Sequence, residues 1–484
     1  MRGTYPDQLD ATVARAIGAA FADVVVVPEA PAGARPQAVL AHDMRPSGPE
    51  LVAAFAAGLA DRGVDAVLTG LASTDGLYFD SGSRGIPGAM FTASHNPAEY
   101  NGIKLCRAGA RPVGQDSGLS DIRDLAGTYL ASGVPAVAED ERGTTSESST
   151  LGHYAEYLRG LVDLSGIRPL KVVVDAGNGM GGYTVPAVLG TQAGMAALPL
   201  DVVPLYFELD GTFPNHEANP LEPANLVDLQ AAVVAHGADL GLAFDGDADR
   251  CFVIDERGGA VSPSAITALV GLREIAREQA AGRTPTVIHN LITSRVVPDL
   301  VQAAGARAVR TRVGHSFIKA QMAEHDAIFG GEHSAHYYFR DFFFADTGML
   351  AAMHVLAALG ETPHGTTLSD LAEIYQPYVA SGEINSRVAD VPAARARVVE
   401  AYVTQQGGGP VDVDEMDGLT VSHWDGQPRW WFNLRASNTE PLLRLNVEAA
   451  DEDIMIKVRD DVLALVREHG TADEAGDGET GDQL

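Results

Sequence analysis

Cysteine is nearly absent: Cys106 and Cys251 are the only two among 484 residues. Two thiols cannot supply a disulfide framework, so the chain reads as one suited to a reducing, cytoplasmic setting. Positive charge is scarce as well, with 34 Lys and Arg against 65 Asp and Glu and a formal net charge of -31. So acidic a surface argues against nucleic acid and anionic membranes as partners, because both attract basic surfaces. In the sequence no apolar run approaches the roughly 18 residues of a membrane span, and no signal-peptide pattern opens the chain. What is present is an ordinary globular composition, 46% hydrophobic. The chain is too long for one core and divides into three or four domains at roughly 100–200 residues each. Any anionic ligand must then be met by local cations and backbone amides.

Strand-like and helix-like runs alternate almost throughout. Residues 37–41 read as a strand, 49–60 as a helix and 65–69 as a strand, and the rhythm resumes at 171–174. This alternation predicts an α/β fold of crossover units on mixed, mostly parallel sheets. The Ser/Thr-rich polar stretch 139–150 marks one boundary, residues 258–264 a second and 377–383 a third. The expected units are residues 1–150, 151–260 and 261–378, all α/β, followed by an α+β unit over 379–470. The last unit carries short strands at 419–421, 430–434 and 442–447 and a closing helix from about 453 to 468. Residues 471–484 are acidic and poor in apolar side chains, which predicts a disordered tail. No repeat of fixed period is evident, although the three early units share a rhythm.

Aspartate recurs with a period of two at Asp245, Asp247 and Asp249, closed by Arg250, just after the apolar run 240–244. In extended chain alternate side chains point the same way, so three carboxylates gather on one side of a short loop. Their repulsion is usually resolved by a hard divalent cation, and a metal site is the first inference. A solvated acidic turn is the plain alternative. A calcium loop of the EF-hand kind is another, with Glu256 at its twelfth position, but Arg250 replaces the required glycine and a strand follows.

Three further loops follow strands. Thr92-Ala93-Ser94-His95-Asn96-Pro97 offers Ser94 as a nucleophile, although no nucleophile-elbow pattern surrounds it and Asn-Pro also makes an ordinary turn. Gly330-Gly331-Glu332-His333-Ser334-Ala335-His336 mixes acceptors and donors as a polyol requires. Arg435-Ala436-Ser437-Asn438-Thr439-Glu440 offers a cation, hydroxyls, an amide and successive N–H groups, a reasonable phosphate cradle. Gly177, Gly179 and Gly182 satisfy G-x-G-x-x-G with Asp201 downstream, which opens a competing reading as a nicotinamide-dependent oxidoreductase.

Taken together and in this order, Thr-Ala-Ser-His-Asn-Pro, Asp-Gly-Asp-Ala-Asp-Arg, Gly-Glu-His-Ser-Ala-His and Arg-Ala-Ser-Asn-Thr-Glu-Pro closely resemble the α-D-phosphohexomutase superfamily, within it the bacterial phosphomannomutase/phosphoglucomutase group. The resemblance covers nearly the whole chain apart from the tail. It implies three α/β domains and an α+β domain around a central cleft, acting on a small-molecule sugar phosphate as a monomer or dimer. By the same resemblance Ser94 is the phosphoserine, and Asp245, Asp247 and Asp249 hold Mg²⁺ together with the Ser94 phosphate. Glu332 and Ser334 grip sugar hydroxyls, and Arg435, Ser437, Asn438 and Thr439 bind the phosphate not being transferred. Arg2, His95, Lys104, Arg250, His315 and His336 also match active-site positions, with Lys104 and His336 as proton-transfer partners. A hexose 1,6-bisphosphate serves as intermediate and activator. Asp43, Arg45 and Ser47 match an early Asp-x-Arg-x-Ser motif. Two departures stand out: the chain opens at Met1-Arg2-Gly3, where members begin with a strand leading into Asp-x-Arg-Gly, and Ile292 stands where several mutases have lysine. A phosphoglucosamine mutase and a catalytically impaired sugar-phosphate-binding relative are therefore the alternatives within the resemblance.

Overall fold

The computed structural model describes residues 1–404, 411–436 and 442–467. Ser437, Asn438, Thr439 and the tail 471–484 lie outside the described residues. The chain forms two compact bodies. The first comprises Met1–Asn290, Val297–Arg310 and Gly314–Tyr375; the second comprises Leu291–Val296, Thr311–Val313 and the described residues from Gln376 on.

The first body holds three mixed sheets. In the first, Gln37–His42 pairs in parallel with Asp65–Leu71 and with Gly88–Phe91, and Tyr100–Arg107 turns back antiparallel to Gly88–Phe91. Arg2–Thr4 adds an edge strand against Tyr100–Gly102, so the Arg2-Gly3 pair lies within a strand. The second sheet runs Ala260–Val261, Cys251–Asp255, Leu240–Phe244, Leu170–Asp175, Leu200–Leu205. The third runs Arg307–Thr311, Thr286–Asn290, Phe329–Gly331, Tyr337–Phe339, Ala345–Asp346. Central strands such as Leu240–Phe244 are buried along their whole length, which is why they read as unbroken apolar runs rather than alternating ones.

One local arrangement occurs three times. A strand that is paired in parallel with its neighbour ends, a short loop follows, and the next strand returns antiparallel beside it. The loops are residues 92–99, 245–250 and 332–336. Each contains one non-glycine residue with positive φ: Ser94 at 54°, Ala248 at 59° and Ala335 at 63°. Side chains at the carboxyl ends of parallel strands face the usual ligand-binding edge of such sheets.

The helical run Ala11–Glu29 corrects one expectation, since by length and composition it is apolar enough to cross a membrane. The run is interrupted in sequence by Arg15 and Asp23, and the fold neutralises both: Arg15 pairs with Asp61 at 2.6 Å and Asp23 with Arg62 at 2.9 Å. Asp10 caps it by accepting from the Val13 N–H. Its buried face, including Ile17, Phe21 and Val25, packs into the core under the first sheet, with the Phe21 and Phe55 rings 5.9 Å apart.

The second body is a five-stranded antiparallel sheet in the order Val379–Arg387, Leu442–Ala449, Trp430–Ala436, Leu419–Ser422, Asp412–Asp414. Helices Val391–Val399 and Glu452–Arg467 cover it through Val398, Val458, Val462 and Val466. Two short excursions of the chain join this body: the Arg295 N–H donates to the Glu448 carboxylate at 2.9 Å and the Val313 N–H to Asp417 at 3.3 Å.

Candidate active site

In the first body the Ser94, Asp245 and Glu332 loops meet. Their backbones approach because Gly246 has no side chain: a Cβ there would stand 2.5 Å from the Ser94 carbonyl oxygen. The Asp245 and Glu332 loops are joined by an isolated antiparallel bridge between Arg250 and His336. Ser94 Oγ lies 3.0 Å from Asp245 Oδ2, 3.2 Å from Arg250 Nη2 and 3.2 Å from His95 Nδ1. Ser94 is buried, and its left-handed backbone is one that a side-chain-bearing residue adopts only when its surroundings hold it there.

All three aspartates are buried, and two cations answer them. Arg250 donates to Asp245 Oδ2 through Nε at 2.9 Å and Nη2 at 2.7 Å. Lys104 bridges Asp247 and Asp249 at 2.6 Å each. Thr74, at the start of helix Thr74–Arg84, adds a hydroxyl bond to Asp247 Oδ2 at 2.5 Å and an N–H bond to its carbonyl at 3.0 Å. Burial pushes the Asp245 carboxyl up to about 7 against the pull of Arg250. Burial acts the same way on Asp247 and Asp249, but there the Lys104 ammonium helps to hold both carboxyls below their ordinary value. Lys104 itself is raised, since its two carboxylate partners outweigh desolvation. His95 is pushed down to about 3 by burial and by Arg250, whose Nη2 donates to its Nδ1. It is therefore a neutral ring with its proton on Nε2.

These residues suit a hard cation. One oxygen from each of Asp245, Asp247 and Asp249 falls within 4.8 Å of the others. Asp247 Oδ1 and Asp249 Oδ1 are buried without a hydrogen-bond partner, a costly state unless another group satisfies them. Three carboxylates against two cations also leave negative charge uncompensated.

A cavity of about 450 Å³ opens beside this cluster, lined among others by Arg2, Ser94, His95, Lys104, Arg250 and His336. Arg2 leans on the serine loop through Asn96 Oδ1 at 2.7 Å. His315 lines the cavity from the first position of helix His315–His325. His336 Nε2 stands 3.7 Å from Asp249 Oδ1, and Ser334 Oγ lies 3.0 Å from its Nδ1. Glu332 and Ser334 share the His336 loop but do not line the cavity. Both carboxylate oxygens of Glu332 are taken up internally, by Tyr338 OH at 2.6 Å and Asn290 Nδ2 at 3.1 Å. Arg435 belongs to the second body, where it lies between Glu383 at 3.5 Å and Asp417 at 3.6 Å.

Sequence reasoning missed Thr74, Lys319 and Asp346. Lys319 and Asp346 form a buried ion pair at 2.7 Å in the cavity wall, with the ammonium 4.0 Å from the Tyr78 ring centroid. Lys319 lies one helical turn after His315, on the same face, and that spacing was the available signal. The glycine-rich loop has a packing role instead of a dinucleotide. A Cβ on Gly179 would stand 2.7 Å from the Gly246 carbonyl oxygen, one on Gly182 would stand 2.2 Å from the Phe207 carbonyl, and the Met180 N–H donates to Gly246 O at 2.9 Å. Asp201 sits near the start of its strand with a side chain 70% exposed, away from that loop's strand end.

Models of the phosphoglucomutase/phosphomannomutase family match the chain in four consecutive stretches. They are alpha/beta/alpha domain I over residues 1–128, domain II over 153–259, domain III over 262–378 and the C-terminal domain over 383–465. A phosphomannomutase of Salmonella typhimurium is 39% identical over 473 residues, covering 97% of this chain and 98% of its own. A Xanthomonas campestris protein named for phosphohexose mutases is 39% identical over 462 residues, covering 95% and 96%. The crystal structure of a phosphoglucomutase/phosphomannomutase family protein from Burkholderia thailandensis superposes with a TM-score of 0.81 at 29% identity, over 97% of this chain and 96% of that one.

Proposed function

The chain belongs to the phosphoglucomutase/phosphomannomutase family, and from that premise we propose that it interconverts hexose 1-phosphates and hexose 6-phosphates, of mannose and glucose, through phosphorylated Ser94. The observation that carries this reading is the Ser94 hydroxyl in a cavity wall, 3.0 Å from a buried carboxylate of the acidic triplet and 3.2 Å from Arg250. Phosphoryl transfer needs in-line positioning and neutralisation of the phosphoryl oxygens more than covalent assistance.

On this reading Asp245, Asp247, Asp249 and the Ser94 phosphate hold Mg²⁺, which when bound supplies charge neutralisation at the phosphoryl group. Arg250 supports the same oxygens from the protein side. Phosphoserine 94 gives its PO₃ to the free hydroxyl of the sugar phosphate. The bond from phosphorus to the serine oxygen breaks as that to the sugar oxygen forms, and the proton lost by the sugar hydroxyl is matched by one gained by the serine oxygen. The resulting 1,6-bisphosphate turns over and returns its other phosphoryl group to Ser94, which regenerates phosphoserine 94 and releases the isomeric monophosphate. Lys104 keeps its proton between two carboxylates and acts as a donor rather than a base, while His336 is the neighbouring candidate acceptor. Neutral His95 offers its Nε2 proton to a phosphate oxygen. Arg2 and His315, which line the cavity, orient the sugar, Glu332 and Ser334 support the loop that carries His336, and Arg435 with Ser437, Asn438 and Thr439 takes the distal phosphate.

The test is a coupled assay with mannose, glucose and glucosamine 1-phosphates, each with trace bisphosphate and Mg²⁺, reading formation of the 6-phosphate. Turnover of the first two ahead of the amino sugar is expected. Absence of any 6-phosphate overturns the reading, and a preference for glucosamine 1-phosphate replaces its substrate.

A further inference from the structure

We propose that Arg45 is a positioning residue that sets the aim of Ser94 by gripping the serine loop through its backbone. Arg45 is buried, and its guanidinium donates to three main-chain carbonyls of the loop and to that of Tyr100, the first residue of the returning strand. Nη1 reaches Pro97 O and Tyr100 O at 2.7 Å each, and Nη2 reaches Ser94 O at 3.0 Å and Asn96 O at 2.6 Å. The fifth N–H, on Nε, faces Asp43 Oδ2 at 3.4 Å, an ion pair too long for a good hydrogen bond. Asp43 Oδ1 in turn accepts from the Arg45 N–H at 3.0 Å.

Arg45 is not the loop's sole support, but it is the one group that grips several of its carbonyls at once. The Tyr5 N–H meets Glu99 O at 2.8 Å, and the Asn96 and Tyr100 N–H groups meet Ala93 O and Pro97 O at 3.1 Å each, whereas Ser94 O and Asn96 O are met by Arg45, and buried carbonyls without partners are costly. Only a guanidinium presents four N–H groups in a fixed planar fork from two terminal nitrogens; an ammonium offers three from a single atom. The carbonyl of Ser94 itself is one of the four. Holding it fixes the peptide plane after Ser94, the Ser94 N–H bond to Thr92 Oγ1 at 2.8 Å fixes the plane before it, and together they confine the left-handed backbone with φ 54° and the direction of the Cα–Cβ bond. The Phe213 ring, 5.2 Å from the guanidinium carbon, and Gly211, where a Cβ would stand 2.7 Å from Arg45 Cα, close the other side. Ser47 extends the same support by accepting from Asn101 Nδ2 at 2.7 Å, at the start of the returning strand. Arg45 thus acts through Ser94 and does not touch the cavity.

The inference rests on Ser94 as the phosphoryl carrier, so two readouts are paired. Arg45→Lys keeps the charge and the Asp43 pair but loses the fork. Its kcat for mannose 1-phosphate is expected to fall about 100-fold, the scale of a misplacement of about 1 Å. KM should stay within about threefold, because no substrate contact is removed. Hydrogen exchange of the amides in residues 92–100, measured without substrate, is expected to accelerate about tenfold while the second sheet is unchanged. Exchange needs no turnover, so it tests the grip even if the wild-type protein proves inactive in the assay above, a result that would count against the mutase reading alone. If Arg45→Lys does not fold, Asp43→Asn, which keeps the fork and removes its counterion, should show the same two changes at roughly a tenth of the size. Wild-type exchange over 92–100 in the variant that folds overturns the proposal, as does a KM rising in step with the loss of kcat.

Discussion

The serine loop and the aspartate loop occupy equivalent places in consecutive sheets, yet the charged groups that hold them act on different parts of the chain. The serine loop is fixed through its backbone, by a guanidinium on four carbonyls, and its functional side chain is left with long contacts of 3.0–3.2 Å. The aspartate loop has backbone bonds to Thr74 and Met180, but its charged side chains are held by Lys104, Arg250 and the Thr74 hydroxyl, and two of its carboxylate oxygens are left without a hydrogen-bond partner. A group that must exchange a phosphoryl needs a fixed origin and an unencumbered oxygen. A group that must hold a cation needs charge in excess of what the protein supplies. The two modes of attachment deliver those two requirements.

The largest break in this comparison is to delete the side chain that the serine loop exists to aim. Ser94→Ala removes the atom that carries the phosphate, and turnover should fall by several orders of magnitude with the fold intact; wild-type-like rates would reassign the carrier. Joining the two loops differently comes next. Gly246→Ala would drive a methyl to 2.5 Å from the Ser94 carbonyl, so the loops must part by several tenths of an ångström. A loss of about 100-fold in kcat is expected, whereas retention within about threefold would show that the contact is soft.

A smaller effect separates the loops by their response to metal. Asp247→Asn leaves the serine loop untouched but removes a charge from the triplet, so the Mg²⁺ concentration for half-maximal rate should rise about tenfold or more. An unaltered metal titration would take Asp247 out of the cation site. The mildest probe is pH. Burial raises the Asp245 carboxyl to about 7 in the folded state, against about 4 when unfolded. Between those values the folded chain binds the extra proton, so this group lowers stability progressively as pH rises through the window and fully above it. Mg²⁺ must displace that proton below pH 7 and meets a free carboxylate above it. The rise in Tm on adding Mg²⁺ should therefore be larger at pH 8 than at pH 5.5, with Kd weakening by at most about tenfold per pH unit between. A shift independent of pH would show that Asp245 is already ionised in the metal-free protein.

The sequence by itself determined the α/β alternation, the α+β character of the last unit and the four loops, because apolar periodicity and short motifs are local properties of the chain. Strand 240–244, the period-two aspartates and the returning strand 251–254 could all be read within fifteen residues. Only the tertiary structure decided what those loops touch. Lys104 reaches Asp247 across 143 residues, Thr74 reaches it across 173, and Arg250 reaches Ser94 across 156. The apolar helix from Ala11 shows the same limit, for its two charges are legible but the partners that let it be buried are not. Arg45 and Gly246 show it most sharply. A pattern of residue types can mark both as unusual, yet a backbone grip and a missing methyl acquire meaning only when a distant loop is packed against them, and no local rule encodes which loop that will be.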